Sequence, residues 1–161
     1  MNPATSHVLS ELSLDKVSLA RLFAELSHLE AVYPGFGRWY WGKMAPGLSD
    51  GTRKAIQATK DGVFEGIVIA KRTSEERKLC TLWTTERSRG SGIGTALFSE
   101  ALDWLQDSSP VATVPAERID QFGGLLRGQG FALTGVVDSM YRPGAKEFIF
   151  NHRPRNGFPS A

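Results

Sequence analysis

The chain has 161 residues, 41% hydrophobic and 22% charged, with a formal net charge of +2 and a pI near 8.8. That is the length of one domain around a single core, too apolar for a disordered segment and too weakly basic to argue for nucleic acid by charge alone. The single cysteine, Cys80, excludes an intramolecular disulfide and a cysteine-built metal site.

No apolar run reaches membrane-spanning length and the N-terminus has no signal-peptide core, so a cytoplasmic protein without a membrane partner is expected. Residues 1–6 read as a loose end. Residues 7–13 alternate weakly, which permits a short first strand. Ser13 or Asp15 is placed to cap the following helix, where Leu19, Leu22, Phe23, Leu26 and Leu29 recur at helical spacing. His28 reads as a surface residue of that helix and not as a base. Pro34-Gly35 ends it.

An aromatic run follows, with Phe36, Trp39, Tyr40 and Trp41 ahead of a second break at Pro46-Gly47. Residues 53–60 read as a strand, and Asp61-Gly62 is a two-residue hairpin turn. Residues 63–71 are almost continuously apolar, which implies a central strand buried on both faces. After a polar turn comes a strand over residues 78–85, in which Cys80 reads as a small buried apolar residue. A helix over residues 95–106 presents Leu97, Ala101, Trp104 and Leu105 on one face and stops at Ser108-Ser109-Pro110. A short strand spans residues 111–114. Pro115 and Glu117 suit the start of a helix over residues 117–127, ended by Gly128-x-Gly130. Strands over residues 132–138 and 146–151 flank a loop holding Tyr141-Arg142-Pro143-Gly144. The polar residues 152–161 read as a flexible tail, which leaves one domain over residues 1–151.

The most informative stretch is Arg89-Gly90-Ser91-Gly92-Ile93-Gly94, between a strand and a helix. Its glycines let the backbone turn tightly and approach a ligand, and the helix behind adds unpaired N–H groups and a positive dipole end. The result is a cradle for phosphate or pyrophosphate. It is not a P-loop, because no Lys-Ser or Lys-Thr follows. Nor is it a dinucleotide fingerprint, because the glycine spacing differs and no early βαβ unit surrounds it.

This R-G-x-G-I-G run after a strand resembles the acyl-CoA loop of the GCN5-related N-acetyltransferase (GNAT) family. Leu82-Trp83-Thr84 before it, Thr95-Ala96-Leu97-Phe98 after it and Gly130-Phe131 further on extend the resemblance over nearly the whole chain. It implies an α/β (α+β) fold with a mixed, mostly antiparallel sheet of six or seven strands flanked by about four helices. Two central strands, residues 78–85 and 111–114, would splay to admit the pantetheine arm. Arg89, Gly90, Ser91, Gly92, Ile93, Gly94 and Thr95 would hold the pyrophosphate of acetyl-CoA, and Trp83, Thr84 and Thr85 would face its arm and thioester. The aromatic run falls where the family builds its acceptor wall, so Trp39 and Tyr40 either touch the acceptor or pack a short helix on the sheet. No metal is implied.

Acetyl transfer to an amine needs an acceptor for the ammonium proton, a donor for the developing oxyanion and a proton for the leaving thiolate. Glu86, just before the loop, is the first candidate base, with Glu147 the weaker one. The family's usual general acid is a tyrosine, but here that position is Leu126, and no tyrosine lies between Glu117 and Phe131. Tyr141 is the substitute to test. The expected function is direct acetyl transfer to an amine in a ternary complex, without a covalent acetyl-enzyme because no Cys/His pair is visible. The acceptor would be a small amine or a protein amine. An aminoacyl-tRNA, as in a toxin-like activity, ranks lower, although Arg38, Lys43, Arg87, Arg89 and Arg142 could form a basic band. A CoA-binding regulatory or interaction module with weak turnover is the alternative from another class, and nucleotide phosphate binding is a third reading. By analogy with the family, the resemblance implies a homodimer paired through an exposed final strand.

Overall fold

In the computed structural model, which describes residues 7–152, seven strands form one sheet in the order β1-β2-β3-β4-β5-β7-β6. The strands are β1 (Val8–Glu11), β2 (Arg53–Lys60), β3 (Val63–Arg72), β4 (Arg77–Thr84), β5 (Val111–Pro115), β6 (Leu133–Asp138) and β7 (Lys146–Phe150). Every pairing is antiparallel except that of β4 with β5. Residues 1–6 and 153–161, which hold the expected loose end and nearly all of the expected tail, lie outside the described residues.

Helices α1 (Lys16–Leu26), α2 (Phe36–Trp39) and α3 (Ala45–Asp50) cover one face of the sheet, and α4 (Ile93–Leu105) and α5 (Ile119–Gly128) cover the other. Strand β3 explains its own apolar run. Ile67 and Ile69 enter the core beneath α1–α3, while Val68 and Ala70 enter the core beneath α4, as the alternation of side chains along a strand requires. Gly66 is the close-approach point. A Cβ there would lie 3.0 Å from Leu97 Cδ1 and 3.1 Å from the Trp83 carbonyl oxygen, so the missing side chain lets α4 settle on the sheet.

Local signals act as read. Asp15 caps α1, its carboxylate accepting from the Ser18 N–H at 2.8 Å. Asp61 and Gly62 both take positive φ, 51° and 77°, as a type I′ hairpin turn needs. Two expectations fail. Helical backbone does not stop at Pro46-Gly47 but runs on to Asp50, because a π turn over Tyr40–Met44 joins α2 to α3. The Ala45 N–H reaches back to the Tyr40 carbonyl, which widens the turn just ahead of Pro46, the residue with no N–H for the ladder. The final strand is not an edge: β7 lies between β5 and β6, so a sheet-to-sheet dimer through it has no free edge to use. No helix among the described residues is long and apolar enough to cross a membrane.

Candidate active site

The glycine loop lies between the end of β4 and the start of α4. Gly90 and Gly92 have φ of 77° and 88°, a region other residues enter at a cost. Gly92 is the N-cap of α4 and has no side chain to cap with. The first helical hydrogen bond there is Ala96 N–H to the Gly92 carbonyl at 3.0 Å, so the N–H groups of Ile93, Gly94 and Thr95 have no acceptor within the helix. An added Cβ at Gly90 or Gly92 would meet nothing within 4 Å, so the space over the loop is open. Arg89 and Thr95 are exposed beside it. The Ser91 hydroxyl donates instead to the Ser88 carbonyl and braces the turn from within.

What holds this loop was not foreseen. Glu65 is buried in β3, at 6% exposure, amid apolar neighbours. Its carboxylate accepts from the Thr85 hydroxyl at 2.6 Å and from Arg87 Nε at 3.0 Å. Its carbonyl accepts from the Thr85 N–H at 2.9 Å and the Ser88 hydroxyl at 3.1 Å. These bonds hold the Glu65 carboxyl below its ordinary pKa, the Thr85 hydroxyl contributing most. The one signal in the sequence was a charged residue interrupting an otherwise apolar central strand.

Two expected contacts are corrected by this arrangement. The Thr85 side chain is spent on Glu65 and is buried, so it does not face the pantetheine path. Thr84 is also buried, its methyl group 3.2 Å from where a Cβ on Gly66 would stand and 4.0 Å from one on Gly94, so it packs beneath α4. The Trp83 ring lies half-buried, stacked on Phe64 and tilted against His28, and it lines the gap described next.

Strands β4 and β5 pair only at Lys78 with Val111 and Leu79 with Ala112. Beyond that vertex they part. Among the described residues, the β5-facing backbone edge of β4 from Cys80 to Thr84 has no strand partner, whereas β5 turns to β7. From Thr84 down to Cys80 is about 13 Å of extended chain, so an arm lying along β4 from the glycine loop ends beside Cys80, Thr81 and Thr113. The gap is lined on the helix side by Phe98, Phe122, Leu125 and Leu126. Leu126 therefore serves the wall of the gap.

At the vertex the gap opens onto a second cavity beneath α2 and the turn that precedes it, sharing Tyr33, Cys80, Thr81 and Thr113 with it. Trp39 is in its wall. Tyr40 is not: it is fully buried and its hydroxyl donates to the Leu19 carbonyl at 2.6 Å, so its expected contact with an acceptor is corrected to a core role that fastens α2 to α1. Burial also pushes its pKa up.

The ionisable groups gather at this end of the gap. Glu147, on β7 opposite Pro115, is 3% exposed, and its Oε2 has no hydrogen-bond partner among the described residues. Burial, with a smaller contribution from the charge of Glu117, pushes its carboxyl up to about 7 against the pull of Arg142 and Lys78. Tyr33 is raised far above the ordinary phenol value by burial and then by the Glu147 charge, so it stays protonated. Tyr33 meets Tyr141 edge-on at 5.6 Å, and Lys78 Nζ donates to the Tyr141 hydroxyl at 3.0 Å. Glu86 lies elsewhere, exposed on the turn before the glycine loop and outside both cavities, because that turn points it to solvent. Glu86 therefore stands apart from the gap beside which it was expected to act as base. Tyr33 was missed because it precedes a helix break and carries no motif. Two members of the expected basic band have acidic partners, Arg87 with Glu65 and Arg142 with Glu117.

No protein-family model matches the sequence, and no curated protein is similar enough to match. The solved structures do match. A ribosomal-protein-alanine N-acetyltransferase from Brucella melitensis superposes with a TM-score of 0.70 at 17% identity, covering 89% of this chain and 97% of that one. A protein from Desulfovibrio desulfuricans assigned to the GNAT acetyltransferases gives 0.69 at 14% identity over 90% and 97%. The chain has the GNAT fold. The aminoglycoside 6'-N-acetyltransferase of Enterococcus faecium, with a TM-score of 0.64 at 13% identity over 89% and 94%, shares that fold. So does another aminoglycoside 6'-N-acetyltransferase, solved with coenzyme A, at 0.62 and 13% over 89% and 94%. The GNAT-fold expectation for the sheet and its helices is thus met, down to the parting of β4 and β5.

Proposed function

We propose that this chain is an N-acetyltransferase that passes the acetyl group of acetyl-CoA directly to an amine in a ternary complex. The observation that carries this reading is the uncapped N-terminus of α4 set at the open end of the gap between β4 and β5. The residues present fit the co-substrate. The N–H groups of Ile93, Gly94 and Thr95 suit a pyrophosphate, and the unpaired β4 edge offers main-chain hydrogen bonds to an extended amide-bearing arm. Acetyl-CoA supplies the activated acetyl group.

The chain's own groups supply the proton handling. Glu147, with its carboxyl near 7, takes the amine proton through the Tyr33 hydroxyl or a water. The Tyr141 hydroxyl accepts from Lys78 through its oxygen, which leaves its O–H to point at the leaving sulfur and donate to it. This fills the role that Leu126 cannot. Solved structures named for aminoglycoside and ribosomal-protein acceptors share the fold, and likeness at that level selects neither acceptor here. With Arg87 and Arg142 already paired, an aminoacyl-tRNA remains the weaker candidate.

Calorimetry of CoA and acetyl-CoA with the wild type and with Gly92→Glu tests the reading, followed by amine-dependent thiol release. Binding that the variant loses, together with release, supports it. A folded wild type that binds neither ligand refutes it, and binding without release would leave a CoA-binding module.

A further inference from the structure

Among the described residues, the wall of the gap between β4 and β5 carries a single formal charge. It belongs to Arg118, the last residue of the short turn Ala116–Arg118 that joins β5 to α5. The rest of that side of the gap is apolar, with Pro115, Phe122, Leu125 and Leu126. Arg118 is half-buried. Among the described residues it makes no ion pair and no hydrogen bond, and its neighbour Glu117 pairs with Arg142 instead. A charge set among apolar side chains is favourable only where it meets an opposite charge.

What negative charge could Arg118 meet there? No residue of the glycine loop lines the gap, so phosphates held at that loop stay outside it. The pantetheine arm and the acetyl thioester are uncharged. During acetyl transfer, negative charge develops at two atoms only, the carbonyl oxygen and the sulfur. The oxygen can be met by the unpaired N–H groups of the β4 edge. The sulfur has no such row of donors, and Leu126 on the Arg118 side offers neither a proton nor a charge. The Arg118 charge does extend to this end of the gap, because it acts on the hydroxyl of Tyr33, which lines both cavities at the vertex.

We infer that Arg118 is a catalytic residue whose guanidinium faces the CoA sulfur and holds its negative charge as the thioester breaks. In that step the amine nitrogen bonds to the acetyl carbon and the C–S electron pair passes to sulfur. The amine proton goes to Glu147, and Arg118 stabilises the thiolate until the Tyr141 hydroxyl delivers a proton to it. The part played in transfer rests on the acetyl-transfer reading; the effect on the sulfur of bound CoA is tested without turnover.

CoA, and an analogue with hydrogen in place of its thiol group, are titrated calorimetrically at pH 6 and pH 9 into the wild type, Arg118→Gln and Arg118→Lys. A cation beside the sulfur should lower the bound thiol's pKa by about one pH unit, so the preference for CoA over the analogue should rise about 3- to 10-fold from pH 6 to pH 9 in the wild type. Arg118→Gln should reduce that rise to less than about twofold, and Arg118→Lys, which keeps the charge, should retain it. The other ionisable groups about the vertex, Tyr33, Lys78, Cys80, Glu117, Tyr141 and Glu147, are common to the three proteins and drop out of the comparison. Amine-dependent thiol release at saturating acetyl-CoA should fall about 10- to 100-fold in Arg118→Gln. A rise that survives Arg118→Gln overturns the inference. So does weaker binding of the analogue by that variant, which would put the guanidinium on the phosphates or in the fold. No CoA binding by the wild type overturns it together with the acetyl-transfer reading. The expected binding pattern without amine-dependent thiol release sinks that reading alone and leaves Arg118 as the group that holds a bound thiolate.

Discussion

Replacing Glu147 by glutamine should slow the proposed acetyl transfer and stabilise the fold at once, with opposite pH signatures. The carboxyl is buried and pushed up to about 7, so the folded chain holds its proton to higher pH than the unfolded chain does. Its stabilising contribution is therefore whole below the ordinary value of 4.5 and is lost as pH climbs through about 7. Keeping the charge in the fold at pH 8 costs at most about 3 kcal/mol, and about 1–2 kcal/mol once solvent reaching the cavity is allowed for. Glutamine has the same shape without the charge, so Tm at pH 8 should rise by roughly 2–8 °C, with little change at pH 5. Over the same range kcat/KM for acetyl transfer should fall about 10²- to 10³-fold, and the limb of its pH profile near 7 should disappear. Differential scanning calorimetry at the two pH values and a thiol-release assay across pH read both effects. The reasoning is refuted if the stabilisation is equal at pH 5 and pH 8, or if the variant keeps the limb.

Three other outcomes follow from the site. Gly92→Ala forces a side chain into φ of 88° and should cost about 1–2 kcal/mol in chemical denaturation, with weaker CoA binding because the loop's N–H groups shift. Glu65→Ala removes the carboxylate to which the buried Thr85 hydroxyl and Arg87 Nε donate, and should destabilise by about 1–3 kcal/mol; it should also raise the KM for acetyl-CoA more than it lowers kcat, since Glu65 braces the glycine loop and lines neither cavity. Tyr141→Phe removes the hydroxyl that Lys78 holds and should lower kcat about 10- to 100-fold, with CoA affinity by calorimetry unchanged. An unchanged kcat would remove Tyr141 from the proton path.

The order of elements was legible because it rests on local chemistry. Apolar spacing marked α1 and α4, Asp61-Gly62 marked the hairpin, and three glycines before a helical run marked the anion loop, each a matter of a few neighbouring residues. The candidate chemistry was legible only in part. Glu86 stood in the right place along the chain, yet its turn leaves it in solvent, whereas Glu147 gains a shifted carboxyl from burial among residues distant in sequence. Tyr33 and Tyr141 meet only because the turn before α2 and the loop between β6 and β7 close over the vertex of β4 and β5. Tyr40 and Trp39 are neighbours in sequence, but helical geometry sends one into the core and the other to a cavity wall. Strand, helix and glycine loop were determined by the sequence itself, because φ/ψ preference and amphipathic period act within a few residues. Which phenols line the two cavities, which acid lies buried behind them and with what proton affinity, was decided by the tertiary structure alone, because desolvation and charge coupling depend on distances in space and not along the chain.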